Sequence, residues 1–267
     1  VAQLEAELDL QLFDRSGREP VPTAAARALE PQARLLAEQL QQLNWQASAL
    51  HQGLEERLTL AIAPELQSTH WTGTLAQLVQ EFPTLPIEVL AASQNDALEL
   101  LHAGRAHLAL VFERPAIDGR EGFQEMGRET LVAVMAPSFA PWQKAMAEQG
   151  PKARLTVEQL AAARQILMAS RDLAQIDARF VFAQQRWRTD SHQAALSLIS
   201  AGLGWGWLPL SRVEPHIAAG SLMVIPVQSL SNGTTLFVDW VWSKERPMGL
   251  AARRFLQLLR ERQADNC

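Results

Sequence analysis

Among 267 residues there is one cysteine, and it is the last, Cys267. That excludes a disulfide framework and a cysteine-based metal site, and it fits a reducing compartment. Long apolar runs are missing as well. Stretches such as LALVF, Leu108 to Phe112, have strand length and fall far short of the ~20 residues that span a bilayer, so no transmembrane helix is expected. There is no basic excess. The 24 Lys and Arg stand against 29 Asp and Glu, a net charge of −5, which argues against a nonspecific nucleic-acid binder that works by displacing counterions. No secretory signal is visible, because the chain opens on Val1 and on Glu5, Glu7 and Asp9, the reverse of a basic leader. These features together predict a cytoplasmic protein with a further segment ahead of Val1. No G-x-S-x-G elbow, GKS or GKT phosphate loop, or H-E-x-x-H pair occurs, so simple motif-bearing enzymes have no support.

What is present is a globular composition, 48% hydrophobic and 20% charged, long enough for one large or two ordinary domains. From Leu29 the apolar positions Leu29, Ala33, Leu36, Leu40, Leu43, Ala47, Leu50 and Leu54 succeed one another at steps of four and three. This heptad seam predicts a dimerisation helix, with Pro31 in its first turns and Gly53 closing it. Beyond it, strands and helices alternate. LTLAIA, LPIEVLAA and HLALVF read as strands, separated by the helices STHWTGTLAQLVQEF, opened by Ser68 and Thr69, and NDALELLHAG. A βαβαβ series of this kind implies a parallel, doubly wound sheet. ETLVAVMAP, Glu129 to Pro137, leads out of it as a strand. LTVEQLAA with Thr156 as cap, QILMAS, RWRT, DSHQAALSLISAGL, GWGWLP and SLMVIP then form a second series and a second α/β lobe. TTLFVDWVWS, Thr234 to Ser243, is a long strand suited to cross back to the first lobe, and GLAARRFLQLLRERQ is a terminal amphipathic helix. The expected fold class is therefore α/β, with two doubly wound lobes preceded by a long helix.

Several chemical constellations fail on context. AGLGWGWLP holds a G-x-G-x-G run, but it follows a helix and opens a strand, whereas a dinucleotide fingerprint follows a strand and opens a helix. His102 and His107 straddle a helix end and read as surface residues; no metal is expected. Eight tryptophans stand beside no tyrosine, and Trp205, Trp207, Trp240 and Trp242 alternate at strand spacing, as residues that pack the two lobes, with Trp205 also a candidate for a ligand pocket. Ligands of doubly wound sheets bind at the carboxyl ends of strands, where helix N-termini point free amides inward. Those ends carry Pro64 and Glu65 with Ser68 and Thr69, Ser93 and Gln94, and Arg114, and in the second lobe Ser170 with Thr189, Asp190 and Ser191. Hydroxyl caps and helix dipoles favour a small anion there, which Glu65 would oppose if it faced inward.

The opening stretch and the body resemble one family, the LysR-type transcriptional regulators of bacteria, over nearly the whole chain. LEAELDLQLFDRSGR is similar to the signature at the end of the recognition helix and the wing of a winged helix-turn-helix, carried by Leu4, Glu5, Leu8, Leu12, Phe13, Arg15 and Arg18. FPTLPIEVL, LLHAGRAHLALV, ETLVAVMAP, LTVEQL and SLISAGLGWGWLPLSRVEPHIAAGSLMVIP resemble the landmarks of the effector domain. Asp9 stands where the signature has glycine, Pro22 and Ala25 replace a leucine and a glycine, and His107 replaces the usual aspartate.

The resemblance implies a periplasmic-binding-protein-like effector domain. Residues 1–23 would be the end of the recognition helix and the wing, 24–56 the dimerisation helix, 57–134 plus 234–267 lobe I, and 135–233 lobe II. Arg15, Ser16, Arg18 and Thr23 would face operator DNA, a small-molecule effector would sit at the strand ends, and the protein would be a homodimer or homotetramer without cofactor or membrane contact. Two alternatives remain: a periplasmic-type solute receptor, which would need a signal sequence, and an α/β enzyme, for which only Glu65, His70 and Asp190 are on offer as acid or base.

Overall fold

The computed structural model describes residues 1–17, 19–51, 53–67, 71–114, 118–169, 177–228 and 231–265, with the side chains of 42, 45, 46, 49, 50 and 265 outside that description. The chain divides into two compact units, Val1–Leu54 and Glu55–Cys267.

In the first unit helix α1 (Ala2–Leu8) ends at Asp9, which adopts the left-handed conformation, φ 50° and ψ 41°. The residue where the family signature carries glycine thus makes the same turn, because a short polar side chain tolerates this region better than most. Strands β1 (Phe13–Asp14) and β2 (Val21–Pro22) pair antiparallel as a wing. The Glu5 carboxylate anchors that wing, accepting the Leu12 amide at 2.8 Å and the Phe13 amide at 3.0 Å, with Arg15 Nη2 at 3.2 Å. Those backbone bonds lower the Glu5 pKa. Thr23 caps α2 (Ala24–His51), its hydroxyl accepting from Ala26 N at 3.2 Å and donating to Gln11 O at 2.8 Å.

Helix α2 starts ahead of Leu29, and it ends before Leu54. Leu54 is buried at 8% exposure, so the expected seam loses its last position. Leu29, Leu36, Leu40 and Leu43 keep the heptad spacing and are exposed, between 36% and 65%.

In the second unit β3 (Leu58–Ile62), β4 (Ile87–Ala91) and β5 (Leu108–Phe112) form a parallel sheet with β3 in the middle, linked by α3 (Thr72–Glu81) and α4 (Gln94–His102). The expected caps Ser68 and Thr69 lie outside the described residues, and α3 is preceded by Trp71 with no side-chain cap. His107 is not a surface residue: its Nδ1 accepts from Thr59 N at 3.0 Å while its own amide donates to Thr59 O, which ties β5 to β3.

Strand β6 (Glu121–Met135) is fifteen residues long and begins eight residues before the expected Glu129. The interruption that hid this is Gly127, where a bulge against β11 (Thr234–Ser243) shifts the register between Val238 and Asp239. β11 lies antiparallel between β5 and β6, as a strand crossing back to the first sheet should. The far end of β6 pairs antiparallel with β9 (Gly206–Pro209) and β10 (Met223–Val224). β7 (Gln165–Met168) and β8 (Arg186–Thr189) pair in parallel, and a bridge from Gln165 to Trp205 joins β7 to the start of β9.

Two glycines make that junction. A Cβ on Gly204 would stand 2.8 Å from the Arg164 carbonyl and one on Gly206 2.6 Å from that of Ile166, so the glycine run exists to let β7 and β9 approach.

Helices α6 (Val157–Ala162), α7 (His192–Ser200) and α8 (Leu210–Ala218) flank this second region. Thr156 and Gln159 form a capping box on α6, as the expected cap required. Helix α5 (Ala140–Gln149) has no counterpart in the sequence reading. Helix α9 (Leu250–Asp265) packs its Phe255 edge-on against Trp240, ring centroids 5.2 Å apart. Glu55 holds its N-terminus, accepting from Ala251 N at 2.9 Å and Ala252 N at 3.0 Å.

Candidate functional site

The parallel strands β3, β4 and β5 all finish on one edge of their sheet, and the residues just past them open a cleft. Glu65 comes from the 3₁₀ turn after β3 (Pro64–Leu66), Ser93, Gln94 and Asn95 from the start of α4, and Phe112 and Glu113 from the end of β5. Leu131 of β6 and Leu236 of β11 form the floor where the two sheet regions meet. From the other side come Met168 and Ala169 at the end of β7, the turn Asp177 to Phe180, and Trp207 and Pro209 of β9. The cleft measures about 970 Å³ with its open mouth, the scale of a metabolite rather than a polymer.

Its polar groups are individually placed. Gln94 Oε1 accepts from the Phe112 amide at 3.1 Å, and Ser93 Oγ donates to Asp96 Oδ2 at 2.6 Å. Arg179 grips Asp177 through Nε and Nη2 at 2.8 to 3.1 Å. Burial opposes charge on Asp177, but that fork and the Arg179 amide hold its pKa below the usual value. Glu65 is different: burial pushes its carboxyl up, and its one partner among the described residues is its own amide. Trp207 stands edge-on to Phe180 with centroids 5.5 Å apart, and its Nε1–H is buried with no acceptor among the described residues.

Of the expected pocket residues, Glu65, Ser93 and Gln94 line the cleft. Ser68, Thr69 and Ser170 lie outside the described residues, as do Arg18 and His70. Pro64, Arg114, Thr189, Asp190, Ser191 and Trp205 are not among the lining residues. Physical reasons are plain for several. Arg114 is committed to Glu121, which is 1% exposed; Nη1 lies 3.2 Å from one carboxylate oxygen and Nη2 bonds the other. The Thr189 hydroxyl accepts from Ser191 N at 3.0 Å, and Ser191 Oγ caps α7 through Ala194 N at 3.3 Å. Trp205 points into the core behind β9, with its Nε1 donating to Leu160 O at 3.1 Å. A smaller, apolar cavity lies there, bounded by Phe182, Trp205, Trp207 and Asn232, so Trp207 stands between the two spaces.

The residues that sequence reasoning missed, Asp177, Arg179 and Phe180, come from a turn with no periodic signal. Among the described residues one trio, His102, Asp118 and Glu121, brings potential metal-ligand atoms within 4.8 Å of one another. Glu121 is already taken by Arg114 and Asp118 by Arg120 at 2.7 Å, while His102 Nε2 lies 2.8 Å from Glu121 without hydrogen-bond alignment, so the carboxylates of the trio are already paired with arginines. His102 therefore faces inward, not to the surface as expected.

A cleft at the carboxyl ends of parallel strands, framed by two sheet regions that share a strand and preceded in the chain by a long helix and a two-stranded wing, defines a ligand-responsive DNA-binding regulator. Residues 51–264 match the model of the LysR substrate binding domain, and the chain belongs to the LysR family of transcriptional regulators. It is 39% identical over 265 residues to the HTH-type transcriptional regulator AceR of Acinetobacter baumannii, which covers 98% of this chain and 86% of that protein. Among solved structures, full-length LysG of Corynebacterium glutamicum, with its effector arginine bound, superposes with a TM-score of 0.56 at 20% identity over 98% of this chain and 85% of that one. The regulatory domain of MetR from Neisseria meningitidis gives 0.56 at 19% identity, over 78% and 94%. The chain is thus a transcriptional regulator with an effector-binding domain, not an enzyme, and its partners are operator DNA and a small molecule. No helix among the described residues is long and apolar enough to cross a membrane.

Proposed function

We propose that the cleft between Glu65, Ser93, Gln94 and Phe112 on one side and Asp177, Arg179, Phe180 and Trp207 on the other is where the effector binds. The observation that carries this reading is the pair of polar groups left waiting there: the Glu65 carboxylate and the Trp207 indole N–H have no side-chain or neighbouring backbone partner among the described residues. Buried polar groups ordinarily find partners, and in an open cleft water or a ligand supplies the one that the protein does not. Residues 57–134 with 234–267 act as one lobe and 135–233 as the other, and an effector bound between them shifts their relative geometry and, by linkage, the affinity for operator DNA. Arg15 and Ser16, next to the wing strand β1, meet phosphate together with Arg18, and Thr23 contributes through the cap it gives α2. The protein works in the cytoplasm, where its operator is.

A thermal-shift screen of metabolites on the full chain tests the site. Filling the cleft by Ala169→Trp, at a half-buried position on its wall, should abolish the stabilisation given by any hit while moving the unliganded melting temperature little. Hits that survive the substitution would place the effector elsewhere.

The exposed Leu36 and Leu43 of α2 serve pairing with a second copy. In sedimentation, Leu36→Glu with Leu43→Glu should lower the assembly state at micromolar concentration; an unchanged assembly would assign pairing to another surface.

A further inference from the structure

The charged groups among the described lining residues do not balance. Among the described lining residues three carboxylates, Glu65, Glu113 and Asp177, face one guanidinium, Arg179. That guanidinium is already spent on Asp177 and stands 3.9 Å from Glu113. Glu65 has no counter-ion among the described residues. The dipole that would draw an anion, at the N-terminus of α4, is answered from within, because Asp96 sits in the first turn of that helix and takes the Ser93 hydroxyl. An anionic ligand would therefore meet an unpaired carboxylate and no uncommitted cation among the described lining residues. A neutral one would leave Glu65 protonated, as burial already favours, whereas a cation supplies the partner that its carboxylate lacks among the described residues.

The body of the cleft is apolar and aromatic, and Phe180 and Trp207 offer ring faces and edges. Aromatic rings next to a carboxylate are the setting in which proteins hold organic cations. We propose that the effector carries a positively charged nitrogen group, an ammonium, amidinium or guanidinium, on an apolar body, with Glu65 as its counter-ion and the Phe180 and Trp207 rings against the body. The inference rests on the cleft being the effector site.

Three isosteric probes separate the charge from the shape: benzamidine, benzamide and benzoate, titrated into the full chain by calorimetry. Benzamidine should bind at least about tenfold more tightly than either of the others. Glu65→Gln should remove roughly ten- to a hundredfold of the benzamidine affinity and leave benzamide unchanged.

A second measurement needs no variant. Benzamidine keeps its charge throughout the range in which a carboxyl titrates, so its affinity should rise with pH as Glu65 ionises and then level off, while that of benzamide stays flat. Among the described residues the other charged groups facing the cleft are Glu113, Asp177 and Arg179, and Glu113→Gln should leave the profile in place. Equal affinities for benzamidine and benzamide, a preference for benzoate, a flat benzamidine profile, or no benzamidine binding at millimolar concentration would each overturn the cationic class. Ala169→Trp then tells the two failures apart: if it abolishes the binding of benzoate or benzamide, the cleft stands as the site and the charge assignment alone falls. If every bound probe survives it, the site itself is elsewhere.

Discussion

Replacing Arg114 by methionine should lower the unfolding free energy by about 3 to 5 kcal/mol, seen as a shift of the urea midpoint at unchanged slope. The reason lies in Glu121, whose side chain is fully buried and whose carboxylate takes both arms of the Arg114 guanidinium. Without them the carboxylate keeps only His102 Nε2, and water cannot replace what was lost. The paired change Arg114→Met with Glu121→Met should recover most of the stability, since exchanging both members of a buried ion pair for apolar groups is often close to neutral. Effector affinity should hold in the paired variant, because Arg114 is not a lining residue. A single-variant loss below about 0.5 kcal/mol would mean that Glu121 reaches solvent after all.

The second large effect separates two neighbouring tryptophans. Trp205→Ala should cost about 3 to 5 kcal/mol, because the side chain is 1% exposed, rests against Phe182 at 6.1 Å between centroids and satisfies the Leu160 carbonyl. Trp207→Ala, two residues on and on the same face but bordering the cleft as well as the apolar cavity, should leave more of the stability and remove effector binding instead. Urea unfolding and ligand-induced thermal shift on both variants give the comparison. The reverse pattern, a stable Trp205 variant that no longer responds to effector, would move the site into the apolar cavity behind the strand.

That pair shows how far the sequence could be read. Alternation of tryptophan at strand spacing located β9 and set Trp205 and Trp207 on one face, yet spacing cannot say that Trp207 reaches the cleft while Trp205 stays in the core. Glu65, Ser93 and Gln94 were legible as cleft residues because they follow the carboxyl ends of parallel strands, a place fixed by topology. Arg114 and Ser191 stand at equivalent ends and were taken by a buried acid and a helix cap, competitors that no linear pattern displays. The turn from Asp177 to Phe180 carries no period, and the start of β6 was hidden because Gly127 and the bulge break its alternation. Helix α5 begins with a proline at its first turn and has a short apolar face, so its signal was weak. The caps Thr156 and Ser191, by contrast, are local chemistry, and both form the backbone bonds their positions implied.

Strand β11 completes the first sheet by sliding between β5 and β6, with Val238 opposite Phe112 and Trp240 opposite Gln124. On a growing chain, β5 is made well ahead of β11 and its outer edge then waits, its amides and carbonyls without partners, until β6 to β10 have been made and β11 emerges. An unfilled slot of that kind invites the wrong strand, from the same chain or a neighbour. Such distant pairing is also slow, because the intervening loop must be closed before any ladder bond rewards it. The strand that joins the two regions in the finished protein is therefore also the one that makes its folding late, and the interval before it arrives is when the nascent chain depends most on being kept apart from others.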